Sequence, residues 1–108
     1  MLKVALAQIN ATVGDLEGNS QLIEAAAREA YAKGARLVVS PELSLTGYPP
    51  EDLLLRPAFM RACDDALHRL ARRLEDLAGL SVLVGHPVSA QLPANQRSKS
   101  LAAPACFN

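Results

Sequence analysis

The sequence predicts an α/β fold that opens with a β-α-β-α-β succession, and three observations support this. Short apolar runs of strand length recur at Val4 to Ile9, Leu37 to Val39 and Leu80 to Val84. Between them lie two longer stretches whose apolar residues return every three or four positions. Glycine or proline marks the joints, as expected where one element must stop and the next begin.

Residues 3–9 read as the first strand, followed by a polar, glycine-containing turn from Val13 to Gly18 and by Asn19 as a helix cap. In the helix beyond it, Leu22, Ile23, Ala26, Ala27 and Ala30 form the apolar side. Glu24, Arg28, Glu29 and Lys33 form the other, and Gly34 closes the element. The alanines suit close packing on a sheet. Residues 36–40 form the second strand, and strand–helix–strand order implies a right-handed parallel crossover. The loop from Leu43 to Pro57 holds three prolines and one glycine, with one helical turn at Glu51 to Leu55, and is placed to rim a site. A second helix over 58–77 carries Phe59, Cys63, Leu67, Leu70, Leu74 and Leu77 on its apolar side, which makes Cys63 a core residue. Gly79 ends it, and residues 80–85 form the third strand. Residues 89–104 turn to Ser, Gln, Asn, Pro and Ala and read as an exposed connection. Residues 105–108 are placed to open another strand.

Composition narrows the function classes. Lys+Arg and Asp+Glu are equal at 11 each, interspersed and summing to zero net charge, so no electrostatic footprint for nucleic acid is present. The first apolar stretch is interrupted by Gln8 and Asn10 and lacks a small-residue cleavage site, which argues against a signal peptide. No run approaches the roughly 18 apolar residues of a membrane span. The expectation is a soluble, cytoplasmic protein. The two cysteines, Cys63 and Cys106, are too few for a disulfide framework and lack zinc-site spacing.

The segment Ser40-Pro41-Glu42-Leu43-Ser44-Leu45-Thr46-Gly47-Tyr48-Pro49-Pro50-Glu51-Asp52-Leu53-Leu54 puts a carboxylate where an apolar strand opens into a loop. By residue type and position alone, Glu42 admits two readings: a solvated carboxylate at a strand end, or a charge with a task. Its context is more specific. Lys3 to Asn10, then Val13-Gly14-Asp15-Leu16-Glu17-Gly18-Asn19, then Pro41-Glu42-Leu43 with Thr46-Gly47-Tyr48, resembles in order and spacing the start of the carbon–nitrogen hydrolase (nitrilase) superfamily. Residues 47–54 and Val84-Gly85-His86-Pro87 are most similar to the amino-terminal glutaminase domain of glutamine-dependent NAD synthetases. The resemblance covers residues 1 to about 89.

The resemblance implies a nitrilase-type α-β-β-α sandwich. Such domains are much longer than 108 residues, so the chain reads as an amino-terminal fragment. Residues 1–89 are then the first part of the hydrolase domain, and 90–108 a connection with the possible start of the next strand. It also implies hydrolysis of a carbon–nitrogen bond by a Glu–Lys–Cys triad. A thiolate attacks the amide carbon, and a carboxyl group first takes the thiol proton and then protonates the departing nitrogen. Apolar walls would raise the pKa of that carboxyl, while a lysine ammonium would oppose the shift and stabilise the oxyanion. By its place in the motif, Glu42 matches this general base and acid. The lysine and cysteine contexts have no counterpart here: Lys99 lies between serines, Cys106 sits in an Ala-Pro-Ala setting, and Cys63 is on a helix face.

Glutamine is the implied substrate, and ammonia would pass to a synthetase domain that amidates deaminated NAD. ATP and magnesium belong to that domain, and no cofactor or metal is expected on this chain. Family sandwiches usually associate, so a homo-oligomer is expected. Two alternatives stand beside this reading: a stand-alone hydrolase of another small amide or nitrile, and a non-catalytic module that keeps the fold for oligomer contacts. Tyr48 reads either as a substrate contact or as a packed loop aromatic. His68 is read as solvated and His86 as a turn or packing residue, with no second ligand spaced for a metal. Ser44 has no nucleophile elbow around it, and no phosphate-binding glycine loop is present.

Overall fold

A computed structural model describes residues 1–87 and, further on, the backbone of residues 106 and 107. Strand β1 (Val4–Leu6) leads through helix α1 (Leu16–Ala32) to β2 (Leu37–Val39). The chain continues through a 3₁₀ turn at Glu51–Leu55 and helix α2 (Pro57–Arg73) to β3 (Ser81–Leu83), and a two-residue β4 spans Cys106–Phe107. The sheet order is β1-β2-β3-β4. The first three strands are parallel, with Ala5 beside Val38 and Val38 beside Val82, while β4 runs antiparallel to β3. The expected α/β succession and the terminal strand are thus present. The connection expected at residues 89–104 lies outside the described residues.

Strand alternation decides which face is covered. Val38 and Val82 point to one face and are buried, forming a cluster with Ile23 and Ala27 of α1 and Ala66, Leu67 and Leu70 of α2. Both helices therefore lie on that face. Each Val, Leu or Ile side chain buried there contributes about 1.5–3 kcal/mol. The opposite face carries Val4, Leu6, Leu37, Val39 and Leu83, none of them buried, and Leu6 is 77% exposed. Among the described residues, the helices cover one sheet face and the other carries apolar side chains that are not buried.

Several boundaries differ from expectation for local reasons. Helix α1 begins at Leu16 because Asp15 is its cap, the Asp15 carboxylate accepting from Gly18 N at 3.0 Å. Asn19 is not the cap; it is buried inside the helix. Helix α2 starts on Pro57, which suits a first helical position because its missing N–H would be unpaired there. It stops at Arg73, four residues early, because residues 74–77 tighten into turns in which Glu75 N bonds Arg72 O and Leu77 N bonds Leu74 O. The strands are three residues long rather than five to seven, since their ends bend away into loops.

Candidate active site

The carboxyl end of β2 opens into an elbow. Ser40 still belongs to the sheet edge, its N–H and its hydroxyl both donating to the Leu83 carbonyl at 3.0 and 2.9 Å. The chain then reverses: Ser44 N donates to Pro41 O at 3.1 Å, and the Leu43 carbonyl accepts from Thr46 N, Thr46 Oγ1 and Gly47 N. Leu43 takes a φ of 52°, in the left-handed region that non-glycine residues seldom occupy. Such strain persists only where surrounding packing enforces it, and it tends to mark functional turns. The residue before it, Glu42, is exposed at this elbow.

Two glycines enforce the geometry. A Cβ on Gly85, at the end of β3, would lie 2.5 Å from Leu43 N and 2.9 Å from Pro41 O, so the elbow rests directly on that backbone. A Cβ on Gly47 would lie 2.6 Å from Val13 N, and Gly47 has a φ of 77°. On this second side the loop after β1 packs against the elbow, and Gly14 N donates to Thr46 O at 2.8 Å.

Between the two loops is a cleft of about 190 Å³, lined by Ile9, Asn10 and Ala11 on one wall and Pro41, Glu42, Leu43, Ser44 and Tyr48 on the other. The structure thus places Glu42 and Tyr48 in one cleft, although they are six positions apart in sequence. Glu42 is exposed and has no hydrogen-bond or ion-pair partner among the described residues. The apolar shielding and neighbouring ammonium implied by the resemblance are not supplied by residues 1–87. Tyr48 is 71% exposed, on the rim, and the Tyr48–Pro49 peptide bond is cis.

The remaining candidates fall into place individually. Cys63 is buried in α2, and burial, with a smaller contribution from the Asp64 charge, pushes its thiol up to about 11, away from a nucleophile's range. His68 is exposed, with Nδ1 2.7 Å from the Asp64 carbonyl. His86 is half-buried, its Nδ1 3.1 Å from the Pro87 carbonyl. The Ser44 hydroxyl pairs with that of Ser40 at 2.8 Å. Among the described residues, no group of three or more His, Cys, Asp or Glu is placed to hold a metal, and no helix is long and apolar enough to cross a membrane.

Sequence reasoning missed the wall residues Asn10 and Ser44 and the role of Asn19. For Asn19 a signal existed: it stands four and eight residues before Ile23 and Ala27, on the stripe that α1 buries. A polar side chain on a buried stripe must find partners, and those partners lie in the two loops of the cleft.

Residues 3–97 match the family model described as carbon-nitrogen hydrolase. A glutamine-dependent NAD(+) synthetase of Thermotoga maritima is 48% identical over 84 residues, which is 78% of this chain and 14% of that protein. One from Synechocystis is 44% identical over 85 residues, or 79% and 15%. The chain spans about 15% of the length of such relatives. Among solved structures, a glutamine-dependent NAD(+) synthetase from Cytophaga hutchinsonii superposes with a TM-score of 0.75 at 27% identity, covering 83% of this chain and 15% of that one. An amidase from Nesterenkonia sp. gives 0.64 at 31% identity, covering 75% and 30%. One solved form of that amidase carries the acetamide moiety of fluoroacetamide covalently on its active-site cysteine.

Proposed function

Because the chain belongs to the carbon–nitrogen hydrolase family, we propose that it is the first part of the glutamine-hydrolysing domain of a glutamine-dependent NAD synthetase. The observation that carries this is the elbow: a backbone turn fixed by a left-handed Leu43 and two close-packed glycines sets Glu42 at a strand end, beside a cleft with a polar wall at Asn10. The 44–48% identity to synthetases of Synechocystis and Thermotoga maritima, and a TM-score of 0.75 to a solved synthetase against 0.64 to an amidase, favour glutamine over another small amide.

In this reading Glu42 is the general base and acid. It takes the thiol proton of a cysteine supplied by a later part of the longer protein and returns a proton to the leaving ammonia. Tyr48, on the rim, contacts the substrate. Ammonia passes to a synthetase domain, where ATP and magnesium are used to amidate deaminated NAD; residues 1–87 take no part in holding them. We place the protein in the cytoplasm and expect the parent to be a homo-oligomer.

The test is ammonia release from glutamine. This chain alone is expected to release none. A hybrid in which residues 1–87 replace the matching segment of the Thermotoga maritima synthetase is expected to be active and to lose about 10²–10⁴-fold in kcat with Glu42→Gln. A hybrid equally active with Glu42→Gln would overturn the assignment, as would activity of the chain alone that vanishes in Glu42→Gln.

A further inference from the structure

Asn19 is 1% exposed, yet it is a carboxamide on the apolar stripe of α1. Both of its N–H donors and its carbonyl oxygen are engaged by the two loops that form the cleft. Asn19 Oδ1 accepts from Thr12 N at 2.8 Å, and Asn19 Nδ2 donates to Thr12 O at 2.8 Å and to Leu45 O at 2.9 Å. Thr12 follows Ala11, the last residue of one wall, and Leu45 follows Ser44, on the opposite wall. One side chain, fixed on a rigid helix, thus holds both walls from beneath. From this geometry we infer that Asn19 is a positioning residue that sets the width of the Glu42 cleft. The inference rests on the reading of that cleft as the hydrolase site.

The alternatives for this role are weaker. The Gly14–Thr46 bond and the Gly47 contact tie the same loops together, but both are backbone features of those loops and share their motion. The Thr12 loop also meets the α1 cap through Asp15 N, and Leu45 packs in the same core as Ile23 and Ala27, but among the described residues Asn19 is the single side chain that hydrogen-bonds both loops from within α1. Asp would turn the two donor bonds into a charge facing two carbonyl oxygens, and Leu would leave the Thr12 N–H and the Leu45 carbonyl without the partners Asn19 gives them, the Thr12 carbonyl keeping only its bond from Asp15 N at 3.1 Å.

Hydrogen–deuterium exchange of the full chain, read by mass spectrometry with single-amide fragmentation, tests this without catalysis. Its outcome is therefore independent of whether Glu42 is a base. In the unmodified chain the Thr12 amide is expected to be protected like the core amides of α2. With Asn19→Ala, exchange at Thr12 and through residues 43–47 should accelerate by about tenfold or more. Leu74→Ala, which destabilises the core away from the cleft, should leave the ratio of cleft to core exchange unchanged. Rapid exchange of Thr12 in the unmodified chain would overturn the inference even if Asn19→Ala does not fold. A folded Asn19→Ala with unchanged cleft exchange would overturn it too, as would a Leu74→Ala chain showing the same selective loosening. In the active hybrid, Asn19→Ser should raise KM more than it lowers kcat; equal loss of stability with unchanged KM marks a merely structural role and also refutes positioning.

Discussion

Gly85→Ala isolates the contact that seats the Glu42 elbow on the sheet. The backbone of Gly85 does not lie in the left-handed region, so alanine brings no conformational strain there. By itself it would even stabilise by about 0.4–1 kcal/mol, because it restricts the unfolded chain. The opposing term is steric. The new methyl group would sit 2.5 Å from Leu43 N, 2.9 Å from Pro41 O and 3.1 Å from Glu42 C. These are backbone atoms and cannot escape by changing rotamer, so the overpacking cost falls in the upper part of the usual ~1–3 kcal/mol range. The net loss is then about 1–2 kcal/mol, or a fall in Tm of about 4–16 °C for a unit of this size. Thermal unfolding followed by circular dichroism measures it, with Gly79→Asn as the reference. Gly79 has a φ of 78° and open space where its Cβ would lie, and asparagine tolerates that conformation. An unchanged or higher Tm for Gly85→Ala would refute the account of the elbow as a close-packed device.

Other outcomes follow from the same structure. The open sheet face should drive self-association in sedimentation velocity, and Leu6→Lys should reduce it while changing stability by no more than about 0.5 kcal/mol; a sharply monomeric chain would count against a missing second layer. Cys63 should resist thiol reagents at pH 8 until the chain unfolds, read by mass spectrometry of its peptide, because its thiol is buried and pushed up to about 11; fast labelling of the native chain would contradict its place in the core. Asp76 is held below its usual value of 3.8 chiefly by its hydrogen bond to Arg28. A carboxylate with a depressed folded pKa contributes stability above the unfolded value and loses it as pH falls through the folded one. The chain should therefore weaken below about pH 4, and Arg28→Ala should flatten that part of the profile; an identical pH dependence would remove the pair from the account. The effect should shrink in high salt, since both groups are at the surface.

What was legible in the sequence was whatever depends on period. Val38 and Val82 alternate with half-buried neighbours, Ile23 and Ala27 stand a helical step apart, and the element order follows from them. The short turn at Glu51–Leu55 was readable too, from prolines on either side. What was not legible depends on contacts between distant segments. Asp15 and Asn19 are both good caps by type; only the loop packing at Thr12 and Leu45 decides that Asn19 turns inward and Asp15 caps. The left-handed Leu43 carries no residue signal, because its conformation is imposed by the Gly85 backbone beneath it and not by its own side chain.

Glu42 joins these two kinds of information. Motif order singled it out and the elbow sets it in the cleft, yet among the described residues its carboxylate is exposed and has no ion-pair partner. Exposed to water, a carboxylate interacts with a cation 4 Å away by only about 1 kcal/mol, against about 4 kcal/mol at the lower effective dielectric near a protein surface. A shielded site needs walls on more sides than Ile9–Ala11 and the elbow provide. The sheet has a matching deficit, since Val4 and Leu6 expose apolar surface that a second layer would cover. A single addition to the longer protein, laid over the open face and carried past the strand ends, would answer both needs. It would bury the sheet, lower the dielectric around Glu42 and, on the proposed function, bring a cation and a thiol to its carboxylate. On this account residues 1–87 contribute position and the rest of the protein contributes environment, so Glu42 should gain reactivity only when the fold is complete.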